Sequence, residues 1–407
     1  MTSELALFTY PTIQQDIEAV YYQEVYPSHK IENSIEFYYK GSSSDYVALR
    51  YTTLNIRVKL TRPAAYTAID ENVTGKKCFL ENMPISSIFS KVELYLNDTL
   101  VEGSHSLYPE ESHIKTVLKF GKAVKDTELE AWGYAETDNA LRNRMSSAEN
   151  QYFEFVGPVF MDFFEQSQLL VPLVDIRLKF TVGEKKFFRR AEVGPLWGFS
   201  IESAVLKVKK IKVNYNILAD HSRGIVQQNV VYPIQETKLI SIPIAKDNTN
   251  FSYDNLFRGY SPKVLISVLV SEADSLTNPF KFQNFKLNYY SVIQDGINVH
   301  NESALEPDFE NNLYTREYAS LFENLQLFGK NRSLGITMKE FKETKCIFVT
   351  NLCRDMDLNG IQPPNYNNLR LEMKFAAPLP TNVNLIIMAV CDGVIEIDKN
   401  LRVHINK

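Results

Sequence analysis

Val92-Glu93-Leu94-Tyr95-Leu96-Asn97-Asp98-Thr99 alternates apolar and polar residues, then breaks into a pair tolerant of positive φ. Period-two alternation puts Val92, Leu94 and Leu96 on one face of a strand, and Asn97-Asp98 suits a chain reversal into Leu100-Val101. A helical stretch ending at Gly121 follows, and then the apolar strand Val174-Asp175-Ile176-Arg177-Leu178-Lys179-Phe180. The second half repeats this order: Tyr289-Tyr290-Ser291-Val292-Ile293-Gln294-Asp295-Gly296, a helical stretch ending at Gly329, and Asn368-Leu369-Arg370-Leu371-Glu372-Met373-Lys374-Phe375. Asp98 to Asp295 is a shift of 197 positions and Phe180 to Phe375 a shift of 195. A near-constant offset through two separated strands implies one strand-rich unit built twice.

Working outward, both halves show more of the same pattern. Ser34 to Tyr39 and Tyr51 to Leu60 alternate with period two, and further strands are expected from about Tyr152, at Leu169–Val182 and at Ser203–Ile217. In the second half strands are expected at Lys238–Ile244, Lys263–Val270, Phe285–Ile293, Ile297–Val299, Lys345–Val349, Leu369–Phe375, Val383–Val390 and Val394–Ile397. Eight or so short strands per half, with a helix in a fixed slot, suit an all-β chain with short helices. We expect two tandem antiparallel eight-stranded jelly-roll β-sandwiches. The chain has 407 residues, beyond the roughly 250–300 that one core supports. The 12% aromatic share, with 25 Phe and 22 Tyr, also favours sheets.

The expected boundaries are an N-terminal arm over 1–27, a first jelly roll over 28–218, a linker over 219–228, a second jelly roll over 229–400 and a tail over 401–407. In the arm, Ile13, Ile17, Val20 and Tyr21 fall at helical spacing and Pro27 closes the segment. Such an amphipathic arm docks either on its own chain or on a neighbour, and these four residues are the candidate inter-subunit contacts. A helical and polar insertion is expected at about 109–150. Pro109 suits a helix start, Glu110 and Glu111 suit its positive end, Ile114, Val117 and Leu118 form its buried stripe, and Gly121 stops it. Residues 122–150 read as a solvent-facing excursion anchored by Trp132 and Tyr134. The matching helix of the second half carries Tyr314, Tyr318, Leu321, Phe322 and Leu325 on one face.

Composition narrows the function. The formal charge is −5 and no basic arm is present, so counterion-release binding to nucleic acid is not expected. The densest basic stretch, Lys207 to Lys212, alternates with apolar residues and reads as the solvated face of a strand. No apolar run is long enough to span a bilayer, and no basic-then-apolar leader opens the sequence, so the expected compartment is reducing and intracellular. Cys78, Cys346, Cys353 and Cys391 lie far apart with no Cys-x-x-Cys, which points to free thiols rather than zinc or a disulfide framework. No nucleophile elbow, phosphate loop, zincin motif or dinucleotide fingerprint occurs. His105 and His113 lack the spacing of helical metal ligands, and Glu110-Glu111 fits a helix start better than acid–base work. No catalytic residue, metal or cofactor is expected. Trp132 and Trp197 leave a glycan-binding or glycan-hydrolysing β-sandwich as an alternative.

Several blocks resemble one family. Ser28 to Phe37 followed by Asp45-Tyr46-Val47-Ala48-Leu49, Ile88 to Asn97, Asn278-Pro279-Phe280-Lys281-Phe282, Phe285 to Tyr289, Phe375 to Pro380 and Val394 to Asp398 are similar, in that order, to the major capsid proteins of Polinton/Maverick and adintovirus-like elements. The resemblance implies a double jelly roll of the adenovirus hexon lineage. Such a subunit trimerises into a pseudo-hexameric capsomer, and capsomers tile the icosahedral shell of a DNA virus or virus-like transposon. It implies a virion location, the chain itself and a minor capsid or penton protein as partners, and no role as an enzyme. An internal membrane beneath the shell is left open. A minor capsid or vertex protein of the same particle is the other reading within the family.

Overall fold

The computed structural model describes residues 16–64, 78–103, 106–137, 140, 151–183, 189–191, 197–260, 262–272, 278–299, 304–330, 333–353 and 368–406. Alternation in the sequence becomes antiparallel pairing. The eight principal strands of the first unit are β1 (Ile17–Val25), β2 (Ser34–Tyr39), β3 (Thr53–Thr61), β4 (Phe89–Leu96), β5 (Thr99–Gly103), β6 (Gln151–Pro158), β7 (Ile176–Val182) and β8 (Gly198–Val213), with short strands at Asp45–Val47, paired on β8, and at Cys78–Leu80 and Arg189–Ala191, paired with each other. Those of the second are β9 (Val230–Ile244), β10 (Asn250–Tyr253), β11 (Pro262–Ser271), β12 (Leu287–Gln294), β13 (Ile297–Asn298), β14 (Ile347–Asn351), β15 (Leu369–Phe375) and β16 (Val383–Ile397), and within the stretch expected as a tail Val403–Asn406 is a short strand paired on β16.

The first unit pairs them as β1-β8-β3-β6 and β2-β7-β4-β5, and the second as β9-β16-β11-β14 and β10-β15-β12-β13. Each strand of the second unit occupies the slot of the strand eight places before it. This is the jelly-roll order, made twice. In the first unit Leu54, Ile56, Val58 and Leu60 of β3 face Val92, Leu94 and Leu96 of β4, all fully buried in one core. Burying each such side chain contributes about 1.5–3 kcal/mol.

The repeat extends to single atoms at the hairpin tips. Asn97 and Asp98 both have positive φ, as do Asp295 and Gly296, which matches the right-handed twist of the flanking strands. The Asp175 backbone N–H donates to Asn97 Oδ1 at 2.8 Å, and the Asn368 N–H donates to Asp295 Oδ1 at 2.9 Å. Counted from these turns, Asn97 is equivalent to Asp295, and Phe180, opposite Val92, is equivalent to Met373, opposite Tyr290. The repeat as read from sequence is therefore one position off at the turn and two off at the following strand. A two-residue slip keeps every side chain on its face, so the pattern alone does not register it.

Several local expectations change. The stretch with helical spacing after Ile13 is a strand from Ile17, paired from Ile17↔Val213 to Val25↔Leu206. Its β-branched and aromatic content and its partner's open edge outweigh a spacing that fits a helix only by coincidence. Ile13 lies outside the described residues. The stretch expected as a linker is most of helix α2 (Tyr215–Gln227), capped by Asn214, whose side chain accepts from the Asn216 N–H. Val383–Val390 and Val394–Ile397 are one strand, with Gly393 letting Ile234 of β9 approach closely. The strand Asn250–Tyr253 carries no alternation strong enough to announce it.

Candidate functional site

Two surfaces carry the interest: the seam that joins the units, and the outer face of the first unit's sheet. At the seam stands helix α1 (Tyr108–Lys119), the helix of the expected insertion. All its residues from Tyr108 to Leu118 are buried except Lys115, which is half-buried. Tyr108 belongs to the first core, whereas Ile114, Val117 and Leu118 belong to the second. The segment after it, read from sequence as solvent-facing, is also packed down: Lys125, Leu129, Tyr134 and Ala135 are buried. Residues 138–139 and 141–150 lie outside the described residues.

Three polar knots fix the seam. In the first, Lys115 Nζ lies 2.7 Å from Glu111 and 2.6 Å from Asp162. Asp162 reaches across to β9, accepting from the Thr237 N–H at 2.6 Å and from its hydroxyl at 2.9 Å. Thr237 thereby finds a partner for an edge-strand N–H that the sheet itself leaves unpaired. Glu102 accepts from the N–H groups of Asp162 and Phe163 at 2.7 and 3.0 Å. Burial pushes Glu111 up to about 7, and neighbouring Asp162 adds to the rise against Lys115. Burial and then Asp162 push Glu102 well above the usual carboxylate range. For Lys115, burial works downward but the surrounding carboxylates outweigh it and hold the ammonium well above its ordinary value.

In the second knot His113 stacks on Phe280 of the second unit, with ring centroids 4.3 Å apart. Burial, then the charges of Lys345 and Lys125, push its imidazole down to about 3, so the ring is a neutral aromatic spacer. Lys125 donates to the carbonyls of Val117 and Leu334, each at 2.8 Å. Lys345 pairs with Glu136 of the first unit. Gly335 has φ +72° and lies against Lys122, where a Cβ would meet the Lys122 Cβ at 2.6 Å, so both its conformation and its contact call for glycine. In the third knot Tyr232 of β9 donates to the Leu169 carbonyl and accepts from the Val171 N–H. Asn97 donates to the Leu401 carbonyl. Tyr232, Ile395, Ile397 and Val403 of the second half complete the first core.

Of the candidate arm residues, Ile17 and Val20 present open apolar surface on β1. The Tyr21 ring is also exposed, but its hydroxyl donates to Asp45 at 2.6 Å, and Lys210 lies 2.9 Å from the same carboxylate. Burial works upward on Asp45, yet hydrogen bonds from Tyr21 and Lys210 outweigh it and hold the carboxyl down at about 2. Lys210 is therefore buried and paired rather than part of a solvated basic face. Lys207 and Lys209 do point outward, over the rings of Tyr22 and Tyr51 at 4.6 and 4.0 Å.

Trp197 is fully buried and Trp132 packs edge-on against Phe120 and Phe160, so neither offers the free platform that sugar stacking uses. Among the described residues no group of three or more His, Cys, Asp or Glu side chains is placed to hold a metal. His105 lies outside them. Cys78, Cys346 and Cys391 are buried thiols, and Cys353 is half-buried.

No family model matches the chain. An uncharacterised protein of Caenorhabditis elegans is 21% identical over 397 residues, covering 90% of this chain and 92% of that protein. Among solved structures, one from the Sputnik virophage matches with a TM-score of 0.69 and 14% identity, over 100% of this chain and 92% of that one. The Faustovirus major capsid protein matches at 0.56 and 9% identity, over 96% and 92%. The mavirus major capsid protein matches at 0.53 and 10%, over 100% and 93%. What the chain shares with them is the double jelly-roll fold along its whole length.

Proposed function

We propose that this chain is a major capsid protein, a structural subunit that forms homotrimeric, pseudo-hexameric capsomers tiling the icosahedral shell of a DNA virus or virus-like transposon. The observation that carries the reading is the strand-for-strand duplication, locked by a buried seam and matched end to end by capsid proteins. Two equivalent units per chain, taken three times, give a threefold object with six similar corners. Such an object fits a hexagonal net. A rigid seam serves this role because the angle between the units sets the shape of the tile. Ile17, Val20 and Tyr21, with Ile13 before them, are placed in this reading at contacts between subunits. A minor capsid or penton protein closes the shell at its vertices, and neither catalysis nor sequence-specific nucleic-acid binding is part of the role.

Light scattering on the purified chain tests the reading: the expected mass is three times 46.8 kDa, with hexagonal outlines by electron microscopy. A 46.8 kDa species at every concentration would overturn it, and a fivefold ring would favour a vertex protein instead. Removing residues 1–15, which leaves β1 in place, is expected to give a folded trimer that builds shells poorly. Normal shells from that chain would remove the N-terminal segment, Ile13 included, from the contacts.

A further inference from the structure

Helix α2 carries the chain from the end of β8 to the start of β9, and it does so without burying any residue fully. A surface helix normally packs its apolar stripe down, yet Leu218 and Ile225 are only half-buried. Beneath them lies a half-open cavity of about 900 Å³. Leu169, Val171 and Val213 of the first unit wall it on one side, and Val231 and Tyr232 of β9 on the other. Well-packed proteins leave few voids larger than a water molecule. The volume falls instead in the range of roughly 300–1,000 Å³ typical of small-molecule sites.

We propose that this cavity binds one long-chain fatty acid, its aliphatic chain beneath α2 and its carboxylate at the rim beside Lys399. The lining is sorted for an amphiphile. Tyr46, Val213 and Tyr232 at its floor are buried, whereas its polar side chains, among them Gln168, His221, Gln228 and Lys399, are exposed and so belong to the rim. The two hydroxyls at the floor are already engaged. Tyr232 is bonded to Leu169 and Val171, and the Tyr46 oxygen lies 2.7 Å from His221 Nδ1. Apolar surface is therefore what the floor has to offer. The charges at the rim select the head group. Asp220 is paired with Arg223 at 3.2 Å, and Glu396 accepts from the Asn229 amide at 2.8 Å. Asp398 accepts from the N–H groups of Asn400 and Arg402 at 2.8 and 2.9 Å. Lys399 is exposed and has no such partner among the described residues, which leaves one cation for an anionic head. The site lies within one chain and does not depend on how many copies associate.

Titrating the full chain with cis-parinaric acid, a fatty acid that fluoresces in apolar surroundings, tests the site. Saturation at one probe per chain is expected, with displacement by hexadecanoate. Competing acids of shorter chain should bind about fourfold more weakly for each methylene lost. Val231→Trp fills the cavity from an exposed position on its wall, and Ile225→Trp fills it from its roof. Each is expected to abolish binding while the unfolding midpoint stays unchanged. Lys399→Glu is expected to weaken hexadecanoate by about tenfold or more and to leave displacement by hexadecanol unchanged. No saturable binding, or wild-type affinity in both tryptophan variants, would overturn the site. Wild-type affinity for hexadecanoate in Lys399→Glu would overturn the head-group assignment. Tighter probe binding by a chain lacking residues 1–15 would make the N-terminal segment the occupant and overturn the proposal.

Discussion

Helices α1 and α3 (Thr315–Asn324) hold the same place in the two repeats and have opposite fates. α1 leaves its own unit, and nearly all its surface is buried between the two. α3 packs on its own β14, with Leu321 buried and Asn324 donating to the Val349 carbonyl at 2.7 Å, while its other side faces solvent. The sheets beneath them follow: β11 is buried on both faces and β3 on one. Duplication thus fixed the framework, and the helices following the repeated hairpins broke the equivalence. With its helices alike, the chain would lose the α1 part of the seam and keep only the Tyr232 and Asn97 contacts and the shared first core.

The largest effect expected from breaking this contrast is at Lys115. Lys115→Ala leaves Glu111 and Asp162 buried without their cation, and a loss of about 3–5 kcal/mol is expected by urea titration. Lys119→Ala, one turn on at an exposed pair with Glu165, is expected to stay within about 0.5 kcal/mol. If the two variants unfold alike, the seam is not where the stability lies. Next come Ile114→Ala and Leu321→Ala, one on each helix and both fully buried, each expected to cost about 2–5 kcal/mol. They separate on a second reading: proteolysis between the units should quicken for Ile114→Ala and not for Leu321→Ala.

The pH dependence is a smaller effect, with two signs. Glu111 has a folded value of about 7 against 4.5 when unexposed to the fold. Folding therefore takes up a proton between these values, and stability present below pH 4.5 is lost as pH rises through 7, at up to about 1.4 kcal/mol per pH unit. His113 is depressed to about 3 from 6.5, so its contribution is present above 6.5 and lost as pH falls towards 3. Glu111→Gln should make the alkaline limb of a stability-against-pH curve shallower, with Glu102, raised in the same direction, keeping part of the slope, and His113→Phe should make the acid limb shallower. An unchanged curve in either variant would mean that the group is solvated at the seam. Smallest of all, Asn55→Ala on the open face of β3 is expected to shift monomer stability by no more than about 0.5 kcal/mol.

Much of the fold was legible because strands alternate and their turns have a fixed chemistry. Val92 to Thr99 and Leu369 to Phe375 state their faces outright, and Asp295-Gly296 announces its hairpin. The seam was not legible, since periodicity gives the face a helix buries and not the surface it is buried against. Ile114, Val117 and Leu118 were recognisable as a stripe, but nothing local says that the stripe belongs to the second core. Lys125 misled for a related reason: a lysine among Lys, Glu and Asp reads as solvated until a carbonyl 209 positions away appears beside it. β1 was misread because nine residues can satisfy both periods at once, and only the free edge of β8 decides between them.

The contribution of Tyr232, Ile395, Ile397 and Val403 to the first core has a consequence for the order of events during synthesis. The first core is completed only by strands made almost two hundred residues later, so the first unit is expected to finish folding together with the second rather than ahead of it. A nascent chain stalled between them would expose apolar surface that a finished one hides, which leaves truncated products prone to aggregation.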